Sequence, residues 1–471
     1  MTVGTVIRTV RARWTRTLAI PAAEFTKHMV VVGSTGSGKT TLMIRLWAGW
    51  TAATMAAHHD WGEARPLLVV LDCKGGQDSR AKAHEARAAL SAAGPLRYAI
   101  WPDVPLCMWH LPPRELATLL HQLIEHGEGS AAYYSDISNL AVTLAVAAPK
   151  GPPRSTPEFL ARLSPGWLEH AYATGRPTEM GRVNAVRPHL PDVVMRYSAL
   201  LDRLGGSLDG QAEIGDADVW YCILEGTAET TVAEAQAMAI TELVARAATS
   251  HADRRKILLA ADDYSAVSRR VPLANLYERG RSLGLGIQVS AQSWEGLGAD
   301  DDERSRITAT ADGGIFLLRT PSPEQLVSLA GTVTVIESGR KLLGQGRTGD
   351  EGTSRVAHTW TVHPDRIRQL ATGQAAHIRH GGATFVQIAP PAPYVPRQAP
   401  QPQPADGDQD TTPIPPRHGP TSPPAAPNDH PPTGQPWSEL SLRSRALTSR
   451  HITKGTPTHG STVQAQPGPA A

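Results

Sequence analysis

The stretch VVVGSTGSGKTTLM, residues 30–43, sets glycines and small hydroxyl residues in front of a lysine and two threonines. Gly33, four further residues, then Gly38, Lys39 and Thr40 is the spacing of a P-loop. A glycine turn of this kind aims successive backbone N–H groups at one point, where side chains would fill the space a phosphate needs. With Ser34, Thr35, Gly36, Ser37 and Thr41, these residues are candidates to hold ATP. Lys39 would reach the β- and γ-phosphates, and the Thr40 hydroxyl would complete the coordination of Mg²⁺. A helix beginning at the lysine adds the positive end of its dipole.

Cleaving a terminal phosphate also calls for carboxylates. Two strand ends offer them: Asp72 closes PLLVVLD, and Asp262 and Asp263 sit in KILLAADDYSAV. In P-loop motors with a dedicated acid, one strand separates the phosphate strand from the acid strand, and the second acid directly follows the first. The later pair fits both conditions. Asp262 is then the candidate to hold Mg²⁺ through water, and Asp263 the one to orient an attacking water.

These residues need an α/β frame. HMVVVG (28–33) reads as a buried strand entering the glycine loop, KTTLMIRLWAGWTAA as a helix and PLLVVLD (66–72) as the next strand. Between about 104 and 216 the pattern is nearly all helical. Strands resume at DVWYCILEG (218–226), KILLAADD (256–263), GIQVSAQ (286–292) and GGIFLLR (313–319). Such alternation predicts a mainly parallel sheet covered by helices. The expected organisation is a lead-in at 1–27, a motor domain at 28–103 and 217–390, an all-helical insertion at 104–216, and a tail at 391–471. The tail is rich in proline and polar residues, a composition of disorder. Within it, WSELSLRSRALTSRH (437–451) is a candidate docking helix for a protein partner.

Bulk properties narrow the classes. The chain has 471 residues, 41% of them hydrophobic, and a formal charge of +2, so any nucleic-acid contact must come from local patches. Three scattered cysteines, Cys73, Cys107 and Cys222, form neither a disulfide framework nor a metal motif and suit a reducing cytoplasm. Among 18 histidines no paired metal spacing occurs; His121 and His126, five apart, would face different sides of a helix. No signal peptide is expected, and the longest apolar runs fall short of the ~20 residues that span a bilayer.

The blocks HMVVVGSTGSGKTTLM, VVLDCKGG, ILLAADDYSAV and ERGRSLGLGIQVSAQSW follow the motif order of the FtsK–HerA superfamily of DNA-pumping ATPases, which they resemble. The resemblance implies a RecA-like P-loop fold. It gives Asp72 a turn-organising role, because LDCKGG looks like the family's Asp-x-Lys-Gly turn. It makes Gln292 a polar sensor of the γ-phosphate. ITATADGGIFLLRTPSPEQLVSLAG resembles the strand and helix that follow the sensor. The nearer resemblance is to conjugative coupling proteins of type IV secretion, of the TraG/TraD type, which carry a helical insertion at the position of 104–216. They also end in a segment like VHPDRIRQLATGQAAHIRHGGATFVQI, a short helix and a hairpin.

This likeness further implies an ATP-hydrolysing DNA translocase that works as a ring, usually of six, with an arginine reaching in from the neighbour. Arg279, Arg281 and Arg319 are the candidates, Arg281 the first choice. Its partners would be DNA gripped without regard to sequence and the membrane-bound proteins of a transfer channel. Its place would be cytoplasmic, with recruitment to the inner face of the membrane. Tyr133, Tyr134, Trp101 and Trp109 are expected to pack in cores. Two departures stand out. The family's second acid is normally Glu; Asp263 is shorter by about 1.5 Å, and misplacement on that scale can cost about 100-fold in rate. Coupling proteins also usually begin with a membrane-spanning segment, and only some two dozen residues precede the first expected strand. The alternatives are another secretion-system ATPase, a nucleotide-binding adaptor with weak hydrolysis, and a P-loop enzyme unrelated to DNA, which LDCKGG and AQSW argue against.

Overall fold

A computed structural model describes residues 2–10, 17–124, 131–175, 177–249, 255–343 and 347–390. The expected disordered tail, the candidate helix at 437–451 and His126 lie outside the described residues.

Strands β1 (Thr2–Val10) and β2 (Thr17–Ala19) precede β3 (Met29–Val32), which leads through the P-loop into helix α1 (Lys39–Trp61). Next come β4 (Leu67–Asp72), α2 (Ser79–Leu90) and β5 (Tyr98–Trp101). Helices α3 (Pro113–Leu123), α4 (Ala131–Val146), α5 (Thr156–Arg162), α6 (Pro165–Tyr172), α7 (Pro177–Val186) and α8 (Leu190–Arg203) follow with no strand between them among the described residues. Proline within the first two positions opens α3, α5, α6 and α8, where its missing N–H is no loss. Helix α3 buries Leu116, Leu119, Leu120 and Leu123, an apolar stripe at helical spacing.

Alternation then resumes with β6 (Val219–Ile223), α9 (Thr230–Thr249), β7 (Ile257–Asp262), α10 (Ala274–Gly280), β8 (Leu285–Ala291), α11 (Asp301–Thr310), β9 (Ile315–Leu318) and α12 (Glu324–Ser328). A long hairpin, β10 (Thr332–Leu343) and β11 (Arg347–Trp360), forms a separate two-stranded sheet. After α13 (Pro364–Arg368) the chain closes with the hairpin β12 (Gln374–Arg379) and β13 (Gly382–Ile388).

The main sheet has eleven strands in the order β2-β1-β13-β12-β9-β3-β8-β7-β4-β6-β5. From β9 to β5 every neighbouring pair is parallel; the remaining pairs are antiparallel. The fold is α/β with a mixed, mainly parallel sheet. Strands β3, β4, β7, β8 and β9 are buried throughout, as parallel strands covered on both faces must be. Because side chains alternate along a strand, each face has its own core. Met29, Val31, Leu68, Val70, Leu258 and Ala260 pack with Leu42, Leu46 and Trp47 of α1. Val30, Val32, Leu67, Val69, Leu259 and Val289 belong to the other core, with Leu120, Val142 and Ile240 of α3, α4 and α9.

Several elements depart from expectation. The expected lead-in is itself part of the sheet, with β1 antiparallel to β13; the β-branched run TVGTVIRTV carried that signal. Strand β5 and the β10–β11 hairpin were not anticipated. Trp101 and Trp109 are buried, Trp101 Nε1 donating to the Ser207 carbonyl at 2.8 Å. Tyr133 and Tyr134, expected in the helical core, are instead 58% and 54% exposed and meet each other edge to face. The phenol hydroxyls need no buried partner in that position, and α4 buries Ile137, Ala141, Val142 and Ala145 instead. No described helix is long and apolar enough to cross a membrane.

Candidate functional site

The glycine loop joins β3 to α1 at the carboxyl edge of the sheet. Its conformation requires its glycines: Gly36 and Gly38 hold φ +74° and +103°, and a Cβ on Gly33 would stand 2.7 Å from both Leu318 Cβ and Ser37 Oγ. The loop is fixed from both sides. Gly33 N–H donates to the Ala291 carbonyl at 3.1 Å, and Ser34 N–H to the Arg319 carbonyl at 2.8 Å. From the closing hairpin, Gly373 N–H donates to the Ser37 carbonyl at 2.9 Å. Thr35 is exposed and Thr41 half-buried.

Strand β8 lies between β3 and β7, so the acids arrive one strand away from the phosphate strand. Alternation puts Leu258, Ala260 and Asp262 of β7 on the face that carries α1. Thr40 Oγ1 there donates to Asp262 Oδ2 at 3.0 Å. The Asp262 carboxyl is 2% exposed. Burial raises its pKa, as do the nearby Asp263 and Asp72 carboxylates, while hydrogen bonds from Ser290 and Thr40 oppose the rise. Asp263 begins the loop after β7, with Oδ1 3.7 Å from Lys39 Nζ. Lys39 is largely buried and also donates to the Ser34 carbonyl at 3.5 Å.

Asp72 points into its own turn: Oδ1 accepts from Gly75 N–H at 3.1 Å and Oδ2 from the Tyr221 hydroxyl at 3.4 Å. The turn is locked against the loop after β6, since a Cβ on Gly75 would lie 1.8 Å from the Leu224 carbonyl oxygen and one on Gly226 2.0 Å from that of Cys73. Gln292 is exposed just beyond Ala291, whose carbonyl holds Gly33, and so stands at the loop's rim.

The arginines divide. Arg319 follows β9 at the rim, its carbonyl also accepting from Ser34 Oγ at 2.9 Å. Arg279 and Arg281 are exposed at the other end of the sheet, before β8 starts, with Arg281 3.7 Å from Asp312. The seven residues of β8 put them roughly 20 Å from the loop of their own chain. They are not brought together with Lys39.

Ser290 is the site residue that the motifs do not mark. Its hydroxyl donates to Asp262 Oδ1 at 2.5 Å and accepts from Asp263 N–H at 2.9 Å. A signal existed in GIQVSAQ: Gln288, Ser290 and Gln292 share one face of a strand that burial would otherwise make apolar.

The donor set fits a magnesium nucleotide. It offers a hydroxyl and a carboxylate, the hard oxygen ligands Mg²⁺ takes. Beside them, Ser37 Oγ and Asp263 Oδ1 are buried without a hydrogen-bond partner. Among the described residues, no cluster of three or more His, Cys, Asp or Glu side chains forms another metal site.

Fold and site together define a RecA-like P-loop architecture. Among solved structures it is shared by the bacterial conjugative coupling protein TrwB in its unbound form, with a TM-score of 0.53 and 15% identity over 85% of this chain and 96% of that one. TrwB bound to the non-hydrolysable ATP analogue ADPNP gives a TM-score of 0.55 at 16% identity, covering 85% and 97%; TrwB has also been solved with ADP and Mg²⁺. VirB4 of Thermoanaerobacter pseudethanolicus matches at a TM-score of 0.50 and 12% identity, covering 83% and 96%. No protein-family model and no curated protein sequence matches the chain. At these identities the likeness establishes the fold of the coupling-protein ATPases.

Proposed function

We propose that this chain is an ATP-hydrolysing DNA translocase of the coupling-protein type, acting as a ring of six in conjugative, type IV secretion-like transfer. The observation that carries the reading is the convergence at one sheet edge of Lys39, Thr40, Asp262 and Asp263, residues up to 224 positions apart, on a fold shared with TrwB. Residues 33–41 bind the phosphates through main-chain N–H groups, and Lys39 offsets their charge. Thr40 and Asp262 would hold Mg²⁺, which would supply positive charge against the phosphates. Asp263 orients the attacking water, and Gln292 at the rim senses the γ-phosphate. The motor comprises 28–103 and 217–390, with 104–216 as an all-helical insertion. Arg281, with Arg279 beside it, serves a neighbour's site; its distance from its own loop supports action in trans. The ring grips DNA without reading sequence and passes it to channel proteins at the cytoplasmic face of a membrane, with the tail available to a protein partner.

ATP turnover with and without DNA, in the parent and in Lys39→Ala, tests this. DNA should stimulate the parent several-fold, and the substitution should remove about 100-fold or more of the rate. The likeness to VirB4 favours a second reading, a secretion ATPase that does not move DNA; turnover indifferent to DNA would select it. Tight nucleotide binding with no turnover would leave an adaptor.

A further inference from the structure

The Asp262 carboxylate is held at both oxygens, Oδ2 by Thr40 of α1 and Oδ1 by Ser290 of β8. Ser290 is fully buried, with no exposed surface. Its oxygen also accepts the main-chain N–H of Asp263, so one hydroxyl touches both acids. That N–H belongs to a residue in the left-handed region, φ 52° and ψ 44°, which Asp tolerates better than most side chains. The turn bends the chain as it leaves β7, and Asp263 Oδ1 ends 3.7 Å from Lys39.

We infer that Ser290 is a positioning residue for both acids: its hydroxyl sets the angle of the Asp262 carboxylate and pins the left-handed turn that brings the short Asp263 side chain over the P-loop. The inference rests on the ATPase reading. A donor–acceptor hydroxyl is required, because Oδ1 needs an O–H and the turn needs a lone pair. Alanine supplies neither. Cysteine supplies a weak version of both in nearly the same volume.

The experiment uses the full chain as parent, Ser290→Ala and Ser290→Cys. At saturating Mg-ATP, kcat should fall about 10- to 100-fold in Ser290→Ala, as loss of a buried hydrogen bond to a charged group implies, with KM for Mg-ATP rising by no more than the parent's gain in affinity from Mg²⁺. Ser290→Cys should fall between. A second readout needs no turnover: the affinity for a fluorescent non-hydrolysable ATP analogue, with Mg²⁺ and with EDTA. The parent should bind more tightly with Mg²⁺, and Ser290→Ala should lose most of that difference while keeping its EDTA affinity. Parental kcat and parental Mg²⁺ enhancement in Ser290→Ala would overturn the inference. So would an equal loss of affinity with Mg²⁺ and EDTA, the mark of a merely structural role. If Ser290→Ala does not fold, parental values in Ser290→Cys decide against it. A parent without turnover removes the ATPase reading instead, and the Mg²⁺ enhancement still decides the part played by Ser290.

Discussion

At Asp263, backbone and side chain compensate for each other. An aspartate reaches about 1.5 Å less far than a glutamate, yet the left-handed turn brings its carboxylate to 3.7 Å from Lys39. On the proposed ATPase reading, the turn rather than the length of the side chain then sets where this acid stands. Asp263→Glu should lower turnover rather than raise it, since the longer chain overshoots Lys39 and suits a left-handed backbone less well by about 1 kcal/mol. Steady-state ATPase rates and a thermal melt check this; a faster Asp263→Glu enzyme would show that reach, and not the turn, is limiting. At this scale the P-loop was legible because it is contiguous, nine residues whose spacing alone carries the chemistry. The partner of Thr40 lies 222 residues away, and only the strand context in the sequence pointed to it. The polar face of GIQVSAQ hinted at Ser290, but its role shows only in its two bonds, to Asp262 and to Asp263 N–H.

Strand ends at the amino edge of the sheet are tied by a different device. Asp218, just before β6, has a fully buried carboxylate hydrogen-bonded by Arg65 at 2.7 Å and Arg97 at 2.9 Å, with Arg255 at 3.6 Å. These arginines lead into β4, β5 and β7, so one carboxylate gathers the starts of four strands. Burial by itself would raise the Asp218 pKa; the hydrogen bonds from Arg65 and Arg97 outweigh it and hold the carboxyl well below the usual carboxylate range. A depressed carboxyl stabilises the fold fully above its unfolded pKa of about 3.9 and loses that contribution as pH falls below it. Asp218→Asn should cost about 2–3 kcal/mol at pH 7, less than the ~3–5 kcal/mol of a fully buried broken pair because the arginines keep part of their solvent. Urea unfolding should show the gap to the parent narrowing below about pH 4; a gap constant down to pH 2.5 would contradict the clamp. Composition gave no warning of this cluster, because its members are scattered over 190 residues and meet only when the sheet forms.

For the molecule as a whole, the fully buried parallel strands were legible and the half-buried β5 was not; of the antiparallel strands only the closing β12–β13 hairpin was expected. Buried parallel strands are long apolar runs, as in VVLD or ILLAAD, and these stand out in any sequence. Strand β1 has a β-branched run, but its partner, β13, lies nearly 380 residues away, and nothing local names a partner at that distance. That mixed sheet encloses two histidines near the starts of β3 and β9. His28 accepts from Ile287 N–H through Nδ1 at 3.1 Å, and His377 stacks on Phe316 at 4.4 Å with Nε2 3.3 Å from the Gly313 carbonyl. Burial lowers the pKa of both to about 4. For such a group the unfolded chain binds the proton that the folded one refuses, so stability is complete above about pH 6.5 and is lost as pH falls towards 4. Each histidine should then withdraw about 2 kcal/mol between pH 7 and pH 5, at about 1.4 kcal/mol per pH unit below 6.5. His377→Phe keeps a ring on Phe316 but carries no proton. Urea midpoints at pH 7 and pH 5 should fall about half as far in that variant as in the parent, and an unchanged fall would mean that His377 already takes up its proton in the folded protein.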